Sequence, residues 1–353
     1  MDQTITVKLK LYQPTKAKQR IYQEMADRCT QFGNTFLGLP KENRPKTSKQ
    51  ASEYITLPSA VTCQAIRDIK GKPKARRFKK LWPGFNNQNF RIESAGGACW
   101  KASFPTLEKR VGVPIEVSQY QVKHLNALLN GEAKQGTAYL IKRGKEWYLH
   151  LSLTLTVEKN SQGKTMGIDL GLTDIAVADI EGKTLFFPGG QAAYTRRHYA
   201  SLRRRLQKKQ AHRALRKLGN RESRWISDQN HKISRRIIAF AQANNASTIR
   251  MEDLTGIRLT SKQRKKQRRD KGRSLHSWAF YQLQQFIEYK AILAGIKVEY
   301  VNRDKTSLVC SSCGTERSRP SGRWYVCGHC GSRKHIDANA AANIAKAISG
   351  LAA

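Results

Sequence analysis

Acidic residues are scarce in this sequence relative to basic ones. Asp and Glu together number 26 against 65 Lys and Arg, a formal net charge of +39 over 353 residues. A compact chain with that imbalance repels itself, and a polyanion is the natural partner to relieve it. Long apolar runs are also missing, as are a signal peptide and an amphipathic N-terminal anchor. Their absence argues against a membrane surface as the anion and for nucleic acid. Cysteine is sparse and uneven. Cys29, Cys63 and Cys99 are scattered, whereas Cys310, Cys313, Cys327 and Cys330 come in pairs. That is no secreted disulfide framework, and an intracellular protein is expected.

The length allows two or three domains. Thr4 to Leu11 alternates, with Ile5, Val7, Leu9 and Leu11 on one face, and predicts a strand. From Lys16, the spacing of Ile21, Met25, Cys29, Phe32 and Phe36 predicts an amphipathic helix ending near Gly38. Residues 41 to 52 are polar and read as loop. A second helix is expected from Pro58, with Val61, Ala65 and Ile66 inward. It runs into a basic stretch, 70 to 82, in which Phe78 and Trp82 stand among lysines and arginines. Such interleaving suits a nucleic-acid backbone and its exposed bases, and equally a solvated helix end. Residues 83 to 157 show period two throughout. The clearest piece is a hairpin, with Tyr139 and Ile141 on one arm and Trp147 to Leu155 on the other, turning at Gly144. A small barrel with helices inserted after its first strand is the expected first half, bounded by the polar linker at 160 to 163.

Beyond the linker, Met166, Ile168 and Leu170 alternate and set Asp169 on the other face of a strand; Gly171 then allows a tight turn. A third strand at 184 to 187 is followed by one long basic helix, 193 to 218, with Leu202, Leu206, Leu215 and Leu218 inward and Arg203, Arg204 and Arg205 outward. Another helix is expected over 222 to 243, with Trp225, Ile233, Ile237 and Phe240 inward. A short strand from Thr248 delivers Glu252 at its end. Nine of the sixteen residues from Arg258 to Arg273 are Lys or Arg, which cannot build a core and predicts a loop. Helix returns from Trp278 to Leu293, and strand from Ile296 to Val301.

Two features carry chemistry. Cys310-Ser-Ser-Cys313-Gly314 and Cys327-Gly-His-Cys330-Gly331 are Cys-x-x-Cys turns thirteen residues apart. Four thiolates so spaced can converge on one Zn²⁺, with Arg317 to Tyr325 able to form a hairpin between them. A disulfide or redox couple is the competing reading, and His329 and His335 are alternative ligands. A closed four-cysteine site is structural. The second feature is the set Asp169, Glu252 and Asp337, two at strand ends and one at a helix start where an N-cap belongs. Hard oxygen ligands of this kind hold Mg²⁺, and two such ions can activate a water and stabilise the leaving oxygen of a phosphodiester.

On these residues the chain resembles the TnpB (OrfB) proteins of insertion sequences, compact relatives of the type V CRISPR effectors. The matching segments are GIDLGLTDIAVAD (167–179), IRMEDLTGI (249–257), SLHSWAFYQLQQFIEYKAILAGIKVEYVNRDKTSLVCSSCG (274–314) and HIDANAAANIAKA (335–347). They span most of the C-terminal half. The resemblance implies an α+β multidomain protein. A small wedge β-barrel would comprise 1–15 and 83–163, with a helical recognition module, 16–82, inserted in it. An RNase H-like (RuvC) α/β nuclease domain would comprise 164–304 and 336–353, with a zinc-ribbon insert, 305–335, that binds target nucleic acid. It also implies Asp169, Glu252 and Asp337 as catalytic acids holding two Mg²⁺ ions, and one structural Zn²⁺ on Cys310, Cys313, Cys327 and Cys330. The expected partners are a guide RNA and a target DNA, on a monomer bound to one RNA in a prokaryotic cytoplasm. One departure is visible: many relatives carry an acid where His335 stands. The rivals are an RNA-guided binding protein without cleavage, a strand-joining transposase and a zinc-ribbon DNA-binding regulator. Against the transposase, the chain has neither a paired-His motif with a nucleophilic Tyr nor an Asp-Asp-Glu order.

Overall fold

The computed structural model describes residues 1–94, 96, 99–254, 279–302, 308–316 and 322–347. The chain divides into two compact units, Asp2–Thr156 and Val157–Ala353, with Met1 belonging to the second.

In the first unit the alternating N-terminal segment forms β1 (Asp2–Leu11), which buries Val7, Leu9 and Leu11. The Thr15 side chain accepts from the Lys18 amide and starts α1 (Lys16–Gly38). This helix buries Tyr22, Met25, Cys29, Phe32 and Phe36 along one stripe. The polar stretch after it holds a 3-10 turn, Lys41–Asn43, and a single helical turn, α2 (Ser48–Ala51). Then comes α3 (Ser59–Lys70), with Pro58 just ahead of it as its cap. The strands are β2 (Gly84–Phe85), β3 (Arg91–Ser94), β4 (Trp100–Pro105), β5 (Arg110–Glu116), β6 (Ala133–Arg143) and β7 (Glu146–Thr156). With β1 they make one antiparallel seven-stranded sheet ordered β2-β6-β7-β1-β5-β4-β3. Gln135 of β6 donates to the Phe90 carbonyl at 2.9 Å, beside the far edge strand β3, so the sheet curls strongly.

Three expectations for this unit need correction. A helix, α4 (Gln119–Leu129), sits inside the stretch read as all β. Its signal was local, a capping box in which the Ser118 amide donates to the Gln121 side chain at 2.6 Å. On β6 the buried residues are Ala138 and Leu140, not Tyr139 and Ile141, because the strand pairs one residue out of the assumed phase. Phe78 is 6% exposed and Trp82 packs against the core, so neither ring is free to meet a base. Lysines of the same run cover them, Lys72 over Phe78 and Lys80 over Trp82.

The second unit is built on a mixed five-stranded sheet ordered β10-β9-β8-β11-β12. Its strands are β8 (Lys164–Asp169), β9 (Asp174–Ile180), β10 (Lys183–Pro188), β11 (Ala246–Glu252) and β12 (Lys297–Val301). The β8–β9–β10 meander is antiparallel, whereas β11 runs parallel to both β8 and β12. Parallel pairs need long crossovers. The first is helical: α5 (Gly190–Lys208), α6 (His212–Leu218) and α7 (Arg221–Ala243). The expected single helix of 193 to 218 is thus two. It breaks at Lys209 to Ala211, where Gln210 takes a positive φ of 51°. Only Leu218 of its four leucines is buried, and Arg203 pairs with Glu222 of α7 at 2.6 Å rather than pointing free. Before β12 runs α8 (Phe280–Leu293). The predicted loop 258 to 273, and Trp278, lie outside the described residues.

Alternation decides which side of this sheet does what. Met166, Ile168, Ile249 and Met251 face α7 and α8, joining Ile237, Leu283 and Ile287 in a core. The other face carries Gly167, Asp169, Val177 and Arg250 and is covered by α9 (Ile336–Lys346). A side chain at Gly167 would run into the backbone of Ala341 and Ala345, so the glycine is what lets helix and strand touch. Ala338 and Ala341 pack on Val177, and Arg250 donates to the Ala345 carbonyl at 2.8 Å. Ahead of α9, β13 (Trp324–Val326) pairs with β14 (Arg333–His335) around the second cysteine turn. The expected hairpin between the two turns is therefore shifted onto the second. Residues 317 to 321 lie outside the described set. Among the described residues no helix is long and apolar enough to cross a membrane.

Candidate functional site

Asp169 closes β8 and Glu252 closes β11, and these strands are parallel neighbours. Their last registered pair is Ile168 with Met251, so the two acids follow one another across the ladder at the carboxyl ends of the strands. The Glu252 end is held from below: the buried Gln284 side chain donates to the Glu252 carbonyl at 2.8 Å, and the Asp253 amide donates to Val301. Asp169 pairs in register with Val177, and Val177 packs on Ala338, the residue after Asp337. Asp169 and Glu252 therefore sit at neighbouring strand ends, and Ala338 near the start of α9 packs on the residue opposite Asp169. Asp337 does not cap α9; His335 is the cap residue and Asp337 lies in the first turn.

Asp337 has close company that the sequence did not single out. Arg323, just before β13, donates to Asp337 at 3.0 Å, to Asp174 at a still shorter distance, and to His335 Nε2 at 3.1 Å. Burial lifts the Asp337 carboxyl above its ordinary range, the Arg323 and His335 charges pull it back, and Asp174 raises it again. Among the described residues two clusters have metal-ligating atoms all within 4.8 Å of one another: the four paired cysteines, and Asp174 with His335 and Asp337. The second cluster contains Asp337 without Asp169 or Glu252. Asp174 begins β9, five residues after Asp169, and carried no spacing signal of its own. Arg323 was one of 65 basic residues and equally unmarked.

The cysteine cluster forms as expected from its spacing. Its turns are hydrogen-bonded alike: Gly314 donates to the Cys310 carbonyl at 2.9 Å and Gly331 to Cys327 at 3.0 Å, with φ of 79° and 71° at the glycines. Sulfurs of opposite turns lie 3.8 Å apart (Cys310–Cys330) and 3.6 Å apart (Cys313–Cys327). A tetrahedron with Zn–S bonds of about 2.3 Å has edges of about 3.8 Å, so the donor set fits zinc. A disulfide needs about 2.05 Å and is not formed. Hydrogen bonds from the Thr315 hydroxyl and amide lower the Cys313 thiol, while, against a backbone hydrogen bond at Ser332, the crowding thiols of Cys313, Cys327 and Cys310 raise that of Cys330. Neither His329 nor His335 joins this cluster; His335 turns to Asp337 instead.

The two centres are mechanically joined. Asn339, fully buried on α9, accepts from the Ser311 amide at 2.9 Å and donates to the Val309 carbonyl at 2.8 Å. Asn343 donates to the same carbonyl at 2.7 Å. Asp-x-Asn therefore has a local logic: Asp337 meets Arg323 and Asp174 while Asn339 pins the first cysteine turn to the same helix.

The fold is that of the compact Cas12f-type proteins. A solved Cas12f1–sgRNA–target DNA complex superposes with a TM-score of 0.66 at 16% identity, covering 94% of this chain and 83% of that one. The family model described as "Cas12f1-like, TNB domain" matches residues 280–344, and that described as "Probable transposase" matches 148–258. A TnpB-like protein of Methanocaldococcus jannaschii is 31% identical over 233 residues, 63% of this chain and 81% of that one. The CRISPR-associated endodeoxyribonuclease Cas12f1 of Sulfoacidibacillus thermotolerans is 29% identical over 68% of this chain and 60% of its own length. The chain belongs to the TnpB-like family.

Proposed function

We propose that this protein is an RNA-guided DNA endonuclease of a transposable element, cleaving target DNA beside a short flanking motif. What supports the reading is that Asp169 and Glu252 end the neighbouring parallel strands β8 and β11, and that Ala338, next to Asp337, packs on Val177 opposite Asp169. Family membership supports it, since relatives are named endodeoxyribonucleases and a structural neighbour was solved with guide RNA and target DNA. In this reading 1–15 and 83–163 are the wedge barrel, 16–82 the recognition module, 164–304 and 336–353 the RuvC-type domain, and 305–335 the ribbon.

Three carboxylates are a hard-oxygen donor set that suits Mg²⁺, which when bound supplies Lewis acidity and an activated water for phosphodiester hydrolysis. The protein's part is placement. The β8 and β11 ends hold Asp169 and Glu252, the Gly167–Ala341 contact lays α9 directly on β8, and Asn339 locks the cysteine turn to the same helix. Arg323 pairs with Asp337 and Asp174 and must release Asp337 for that carboxylate to hold a cation. Exposed Arg204, Arg205, Lys208, Lys209, Arg213 and Arg216 on α5, α6 and the break between them present a basic edge to phosphates. A guide RNA from the element's end would supply sequence recognition by pairing, leaving the protein only the flanking motif to read.

The test is cleavage of plasmid DNA by the protein with its co-purified RNA, comparing the parent with Asp169→Ala. The reading expects a loss of about a thousandfold or more; equal cleavage by both would end it. A second reading, RNA-guided binding without cleavage, rests on one observation, the grouping of Asp337 with Arg323, Asp174 and His335. Binding without cleavage by the parent would favour it.

A further inference from the structure

Two exposed aromatic rings stand beside the acids with no structural work to explain their exposure. Phe186 of β10 is 39% exposed and Trp324 of β13 is 47% exposed. They come from different parts of the unit, one from the main sheet and one from the ribbon, yet both rest edge-on against the same ring, His335. The Phe186 and His335 centroids are 5.0 Å apart at 89°, and those of Trp324 and His335 are 6.2 Å apart at 78°. The guanidinium of Arg333 lies 4.9 Å from the Trp324 centroid.

The sheet register ties this pair to the acids. Phe186 is opposite Val177, and Val177 is opposite Asp169, so the three form one row across β10, β9 and β8 on a single face. Two strand spacings separate Phe186 from Asp169, about 10 Å. Trp324 follows Arg323, whose guanidinium contacts Asp337.

We propose that Phe186 and Trp324, braced by His335, form a stacking platform for unpaired bases of single-stranded DNA, presenting that strand to Asp169, Glu252 and Asp337. The proposal deepens the nuclease reading and rests on it. Stacking tolerates any sequence because every base has a π-face, which suits a protein that leaves sequence recognition to a guide. A paired duplex keeps its bases inside and gains nothing from such rings, so the platform selects the single-stranded state. A protein partner would also cover exposed aromatics, but the flanking Arg333 and the net charge of +39 favour a polyanion.

The test is fluorescence anisotropy with the full chain carrying Asp169→Asn, so that nothing is cut. The probes are a labelled single-stranded DNA of about 12 nucleotides and a hairpin duplex of similar length, each titrated across a salt series. Phe186→Ala and Trp324→Ala are expected each to weaken single-strand binding about tenfold. The salt slope, which counts phosphates, and duplex binding should stay unchanged, and Trp324→Phe should bind as the parent does. Zinc content checks that each variant keeps its ribbon. Equal weakening of both probes, a shallower slope, or no change would overturn the platform. If the parent fails to cleave DNA, the nuclease reading falls while this single-strand preference is still read; if the parent cleaves and the preference is absent, only the platform falls.

Discussion

The largest fully buried side chains of the first unit's core are aromatic, whereas those of the second unit's main core are aliphatic, its buried rings being Phe187 and Phe280. Trp147, Tyr22, Phe32, Phe85, Phe90 and Phe104 are all under 2% exposed in the first, with Tyr22 and Trp147 edge to face at 5.5 Å and Phe85 and Phe104 at 5.0 Å. The second buries Met166, Ile168, Ile249 and Met251 under α7 and α8, and on its other face sets Gly167 against the backbone of α9. Large rings fill the space between a curled sheet and its helices. Small residues do something different: Gly167 lets α9 lie directly on β8 through the backbone of Ala341 and Ala345, on the face that carries Asp169. Bulk therefore marks where this chain only needs stability, and closeness marks where it places chemistry.

The sharpest way to separate the two regions is to remove one of the candidate zinc ligands from the second. Cys327→Ala should abolish stoichiometric zinc and the amide protection of β13 and β14, because structural zinc contributes on the order of 10 kcal/mol to small folds. The unfolding transition of the first unit should not move. Trp147→Ala should destabilise the first unit by about 4 kcal/mol through the cavity it leaves. Gly167→Ala should cost the second unit about 3 kcal/mol, since the added methyl meets backbone that cannot rotate away. Denaturant unfolding followed by amide exchange in each unit checks both; if either variant shifts the other unit's transition equally, the contrast between the cores is wrong.

The smallest expected effect is acid sensitivity in the first unit. Burial, then the charges of Arg143 and Lys8, hold His150 down to about 4 from an ordinary 6.5. A histidine kept neutral in the fold contributes stability that is full above pH 6.5 and lost as pH falls toward 4, because the unfolded chain takes up the proton first. His150→Gln should remove about 1 kcal/mol of the loss between pH 7 and 5. A pH profile no flatter than the parent's would contradict it.

Much of this was legible in the sequence, for identifiable reasons. The stripe of Met25, Cys29, Phe32 and Phe36, the Gly144 hairpin, the strand ends at Asp169 and Glu252, and the paired cysteines all follow local rules of period, turn and ligand spacing. The phase of β6 was not readable, because Tyr139, Leu140 and Ile141 are all apolar and alternation cannot choose between them. The break at Gln210 lacks Gly or Pro to announce it. Phe78 and Trp82 were ambiguous because the same lysines that suggest a polyanion also cover the rings. Arg323, Asp174 and the role of His335 depend on the crossing of ribbon, strand and helix, which no local pattern encodes.

That crossing leaves one comparison to make by experiment: whether a divalent cation is held by the predicted carboxylates or by the cluster around Arg323. Binding of Mn²⁺ to the full chain, followed by electron paramagnetic resonance, reads this directly in the parent and in Asp169→Asn, Glu252→Gln, Asp337→Asn and Asp174→Asn. The account predicts that each of the first three variants loses bound Mn²⁺ and that Asp174→Asn keeps it. Retention in Asp169→Asn and Glu252→Gln, with loss in Asp174→Asn and Asp337→Asn, would contradict it and move the cation to Asp174, His335 and Asp337.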